Sequence, residues 1–116
     1  RIQMRDQMVG MYQHLPEPLP VVSEDYGVHQ RWLVFYIDGI KILNKPQPEN
    51  VINEYRKALE KEGWAAEREY VRNDKNKTYG INMRKGEFVF SVSARENRDS
   101  INIHLIKRDW IYNKGL

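Results

Sequence analysis

Three consecutive segments late in this chain alternate apolar and polar residues, and that alternation limits the fold more than any other feature. Tyr79, Ile81 and Met83 share one face of the segment from Lys77 to Met83, and Phe88, Phe90 and Val92 share one face of Glu87 to Ala94. Ile101, Ile103 and Leu105 do the same within Ser100 to Lys107. A period of two sends successive side chains to opposite sides of a strand. The stretches between are built from turn formers: Asn73-Asp74-Lys75-Asn76, Arg84-Lys85-Gly86 and Arg95 to Asp99. With a fourth candidate at Trp64 to Val71, these predict an antiparallel meander with one apolar and one more polar face, packed on a helix.

The helix is expected just upstream. Pro46 and Pro48 punctuate its entry, proline suits a first turn, and Glu49 suits the positive end of the helix dipole. Val51, Ile52, Tyr55, Ala58 and Leu59 form one stripe, while Glu54, Arg56, Lys57, Glu60 and Lys61 lie largely off it. Gly63 stands where a left-handed residue ends a helix. Before it, Arg31 to Leu43 reads RWLVFYIDGIKIL, and Asp38-Gly39 between apolar runs predicts a hairpin with a tight type I′ turn. Trp32, Val34 and Tyr36 would face one way and Leu33, Phe35 and Ile37 the other, so cover on both faces is expected.

The N-terminal part is simpler. Met4, Met8, Met11 and Tyr12 recur at helical spacing within Arg1 to His14, which predicts a helix docked on the body or a methionine-rich contact face for a partner. Leu15 to Pro20 reads LPEPLP, a stiff polyproline-like strap, and Val21 to Gln30 is expected to be irregular. The fold class is therefore α+β: an antiparallel sheet of about five to six strands packed on one main helix, with an additional N-terminal helix. Residues 1–14 form that helix or a tether-proximal segment, 15–30 the strap and loop, and 31–116 a single α+β domain.

A chain of 116 residues can bury a core without metal or disulfide staples. It has no cysteine, which removes thiol chemistry, disulfides and sulfur-ligated zinc and leaves the compartment open. No stretch approaches the roughly 20 apolar residues of a membrane-spanning helix. The chain begins at Arg1 rather than methionine, which leads us to expect a segment upstream.

Gly-rich phosphate loops and HExxH are absent, and His14, His29 and His104 stand far apart, so neither metal nor cofactor is expected. One constellation has chemical content: Ser91 and Ser93 should share the polar sheet face with His104, with Asp99 just before that strand. A flat, solvated sheet face would offer it neither an oxyanion hole nor a cleft, so a non-enzymatic role is expected, with a hydrolase around His104 as the third alternative.

Charge points elsewhere. The formal charge is +3, too small by itself to imply nucleic acid, and exposed strand positions show no aromatic stacking platform. Position matters more. In a meander the turn at Arg84-Lys85 and the strand exit at Lys107-Arg108 lie at one end, with Trp110 and Tyr112 just beyond. At the other end Arg72, Lys75, Lys77, Arg95 and Arg98 are diluted by Asp74, Glu96 and Asp99. The first group, Arg84, Lys85, Lys107, Arg108, Trp110 and Tyr112, is the expected binding surface, for an acidic protein partner, a lipid headgroup or a phosphate, with Met4, Met8 and Met11 as a second contact face for a partner.

The spacing Pro48-x-x-Val51-Ile52-x-x-Tyr55-x-x-x-Leu59-x-x-x-Gly63-Trp64 resembles small bacterial exported lipoprotein-type α+β domains, with a proline-rich lead before it and a meander after. The resemblance covers the layout of residues 15–107 and departs from the pattern by lacking the anchoring cysteine. It implies an extracytoplasmic, membrane-tethered binding or accessory domain of a bacterial envelope protein, and it carries over no catalytic residue. The alternative is a small immunity or inhibitor protein that neutralises a toxin or enzyme by direct binding.

Overall fold

The computed structural model describes residues 2–22, 27–31, 34–73, 75–98 and 100–107. Within them the chain runs α1 (Ile2–Gln13), β1 (Gly27–Arg31), β2 (Val34–Lys41), α2 (Pro48–Lys61), β3 (Ala65–Asn73), β4 (Lys77–Lys85), β5 (Phe88–Arg95) and β6 (Ser100–Lys107). The class is α+β, with one six-stranded antiparallel sheet in the order β1-β2-β6-β5-β4-β3. Consecutive strands β3 to β6 lie side by side, and β6 then pairs with β2.

The alternation read from the sequence is the alternation of the sheet. Register sets Tyr79 against Ala94, Ile81 against Val92 and Met83 against Phe90. The row continues from Val92 to Ile103 and from Phe90 to Leu105. Tyr79 packs against the edge of the core cluster, and the others join Val51, Ile52, Tyr55 and Leu59 of α2 within it, together with Met8, Phe35 and Trp64. Ile81, Met83, Val92, Ile103 and Leu105 are wholly shielded from solvent.

The end of α2 shows how local chemistry sets the element. Gly63 sits at φ 93, a conformation that costs an L side chain about 1–2 kcal/mol. This lets the Gly63 N–H reach the Glu60 carbonyl and the Trp64 N–H reach the Leu59 carbonyl, the paired bonds of a Schellman motif. Trp64 folds back into the core beside Leu59, its ring centroid 4.6 Å from that of Phe90.

Two expectations for the first hairpin are corrected. Residues 27–30 fall in the stretch expected to be irregular, yet β1 pairs with β2 from Gly27↔Asp38 to Arg31↔Val34. β1 and β2 are therefore antiparallel neighbours, and Asp38-Gly39 is not a hairpin turn. It lies inside β2, where two residues between Ile37 and Ile40 oppose one, Asn102, of β6: a β-bulge. Gly39 has φ 76, and its N–H donates to Asn102 Oδ1 at 3.2 Å. A type I′ turn and a bulge built on a glycine both place a residue at positive φ, so Asp-Gly suits either, and here the pairing of β2 with β6 continues through it.

The double cover expected for this strand is also corrected. Phe35 and Ile40 enter the core, whereas Val34 and Tyr36 are half-buried on the opposite side. Helix α1 and the strap serve the Phe35 side: the Tyr12 and Phe35 ring centroids are 5.6 Å apart, and Leu15 and Leu19 pack against the core cluster.

Candidate functional site

The second face of the sheet has a different chemistry. In β3 it receives Arg68, Tyr70 and Arg72, which register sets opposite Asn82, Gly80 and Thr78 of β4. Those in turn face Ser91, Ser93 and Arg95 of β5, and Ser91 and Ser93 face His104 and Asn102 of β6. No carboxylate occupies a register position of this face in β3 to β6; Glu67 falls in the β3 bulge between Ala66 and Arg68. Cations and neutral donors dominate what remains.

Tyr70 organises one side of this face. Gly80 leaves a gap in β4 that the Tyr70 ring fills so closely that a Cβ on Gly80 would collide with it. An aromatic side chain lying over a cross-strand glycine restores the packing that glycine forfeits. Arg68 and Arg72, two residues before and after on the same face, place their guanidinium carbons 5.3 Å from the ring centroid, within cation–π range. The ring thus holds two positive charges in place.

Beside Tyr70 lies a groove of about 280 Å³ lined by Tyr70, Arg72, Thr78, Ser91, Ser93, Asn102 and His104. The flat face expected from the sequence is therefore hollowed. Ser91 and His104 are direct cross-strand partners, and the Tyr36 ring meets the His104 ring edge-on with centroids 5.7 Å apart. Asp99, the third member of the constellation read from the sequence, lies outside the described residues. Among the described residues, no group of three His, Asp or Glu side chains is placed to hold a metal ion.

The expected binding end is placed only in part. Lys85, Phe88 and Lys107 form one row at the end of the sheet, on the side of α2, while Arg84 pairs with Val89 and lies exposed on the polar face. Lys85 Nζ donates to the Glu62 carbonyl at 2.8 Å, at the negative end of α2, and stands 6.0 Å from the Trp64 ring centroid. Lys107 is only 8% exposed. Arg108, Trp110 and Tyr112 lie outside the described residues. Of the methionines, Met8 is wholly buried and Met11 packs against the core cluster; the position of Met4 in α1 is described, its side chain is not.

At the other end of the sheet the backbone N–H of Lys77 donates to Glu96 Oε2 at 3.2 Å. The Tyr70–Gly80 seat, Arg68 and Asn102 are not among the residues expected from the sequence, and Arg72 is expected there only as one of the diluted charges at the other end. One signal for them was present: a lone glycine within an alternating strand marks a close approach, and Arg-x-Tyr-x-Arg puts three large side chains on one face.

No family model, no curated protein and no solved structure matches this chain. Among the described residues, no helix is long and apolar enough to cross a membrane.

Proposed function

We propose that this domain is a non-catalytic binding module that holds an acidic protein partner against the polar face of its sheet. In this reading α2 is the main support of the sheet and α1 an additional cover, which leaves the opposite face for the partner. One observation carries the proposal: Arg68, Arg72 and Arg84 share a face whose register positions in β3 to β6 include no carboxylate. A field of one sign attracts its opposite and speeds encounter, more than it adds raw affinity. Arg84 belongs both to this face and to the basic end read from the sequence, so the two surfaces adjoin. A toxin or enzyme neutralised by such capture is one form the partner takes.

The test is binding of a short Glu-rich peptide, followed by fluorescence anisotropy at several salt concentrations. The native domain should bind it with an affinity that falls as salt rises, and R68E/R72E/R84E should weaken binding by about tenfold or more. Equal binding of a neutral peptide, or full binding by the folded triple variant, would sink the proposal. The extracytoplasmic, membrane-tethered setting rests on the lipoprotein resemblance alone. A lipobox cysteine encoded upstream would support it; a gene without one would remove the tether.

A hydrolase around His104 has one observation in its favour, the cross-strand pairing of Ser91 with His104 beside the groove. Its test is turnover of a chromogenic ester, which S91A and H104A should both abolish.

A further inference from the structure

The lining of the groove differs in kind from the rest of the basic face. Arg72 forms a cationic wall, steadied by Tyr70. The floor is rich in donors: the hydroxyls of Ser91 and Ser93, the His104 ring and the Asn102 amide. Asn102 is oriented from behind. Its Oδ1 accepts the bulge N–H of Gly39, so the end left for a ligand is the NH2 group, which donates twice and accepts nothing.

We propose that this groove receives a phosphomonoester carried on a side chain of the acidic partner, with Arg72, Asn102 and the Ser91 and Ser93 hydroxyls donating to its oxygens. The assignment rests on the binding-module reading and narrows it. A carboxylate has two oxygens in one plane and is satisfied by a single guanidinium fork. The donors here come from β3, β5 and β6 and line one groove, and a tetrahedral group offers them acceptor oxygens in three directions. The space suffices: a groove of about 280 Å³ is more than a phosphate group alone fills. The surplus accommodates the atoms that bear the ester.

A nucleic-acid strand also carries phosphate, but its capture on a sheet relies on aromatic rings offered to the bases. The Tyr70 ring is already engaged, by Gly80 beneath it and by two guanidinium groups beside it. A phosphorylated side chain on the edge of an acidic protein surface needs no such platform.

The experiment uses the full chain and a set of matched peptides with phosphoserine, aspartate or serine at one position, together with inorganic phosphate and a single-stranded DNA oligomer. The phosphoserine peptide should bind about tenfold or more tightly than the aspartate peptide. N102D keeps the acceptor for the Gly39 N–H but replaces the donor by a negative charge; it should erase that preference with the amide resonance of Gly39 unmoved. S93A should halve the preference or more. Equal binding of the phosphoserine and aspartate peptides would overturn the groove assignment and leave the basic-face reading standing. So would a folded N102D that keeps the preference. Inorganic phosphate binding as tightly as the peptide, or DNA outcompeting it, would overturn the protein-borne ester. No binding by either charged peptide would remove both proposals together.

Discussion

The two faces of this sheet are built from alternate residues of the same strands, and they have opposite jobs. In β5, Phe88, Phe90, Val92 and Ala94 go to the core, while Ser91 and Ser93 line the groove between them. In β6, Ile101, Ile103 and Leu105 are buried, and Asn102 and His104 stand one residue away on the polar side. What differs is the neighbour each face needs. The core face is satisfied by apolar bulk of about the right volume, whereas the polar face depends on which donor sits opposite which cation. Stability and binding should therefore separate between adjacent residues.

The widest separation is expected at β5. Phe90→Ala should lower unfolding free energy by about 3–5 kcal/mol, read from urea denaturation, because a fully enclosed ring leaves a cavity. Ser91→Ala beside it should change stability by under about 0.5 kcal/mol. Equal costs at the two positions would mean that the faces are not divided as described. Next in size is Gly63→Ala, which forces a side chain into φ 93 and should cost about 1–2 kcal/mol by thermal unfolding.

The legible parts of the sequence were those settled within a few residues. The α2 stripe, Gly63 and the turn at Gly86 (φ 60) follow from local spacing and backbone strain. The alternation of β4, β5 and β6 fixed which residues share the core face, because a shift by one residue would turn every apolar side chain outward. Asp38-Gly39 has the local pattern of a turn, whereas the bulge depends on pairing with β6, where Asn102 is 63 positions away. The groove escaped for a similar reason. Tyr70 can lie flat only because β4 offers Gly80 opposite it, and that depends on the register set beyond the β3 bulge. Ser91, Ser93 and His104 were placed on one face from alternation alone, but their hollow depends on Tyr70 and Arg72 across the sheet.

Smaller substitutions sharpen the contrast on the polar face. Gly80→Ala should move stability by under about 1 kcal/mol, since the strand gains a better residue while Tyr70 loses its seat. The same change should alter the near-UV circular dichroism of tyrosine and weaken binding of the Glu-rich peptide, because Arg68 and Arg72 lose their common support. Retained peptide binding with a displaced ring would show that the arginines act independently of Tyr70. The smallest effect is expected at Arg56, which pairs with Glu60 within α2 at 3.4 Å and bridges α2 to β3 through Glu69 at 3.2 Å. With its side chain about a third exposed, Arg56→Gln should cost about 0.2–1 kcal/mol and less at high salt.

Lys85 belongs to the tight turn between β4 and β5, yet its ammonium closes the last turn of a helix 23 residues earlier in the chain. Helix ends and hairpin tips are ordinarily the first places to fray. Here each holds the other shut, so amide hydrogen exchange at Gly63 and Trp64 should be slowed to the pace of the hairpin tip. Cutting that tie with Lys85→Met would let both ends breathe separately while the middle of the sheet keeps its protection.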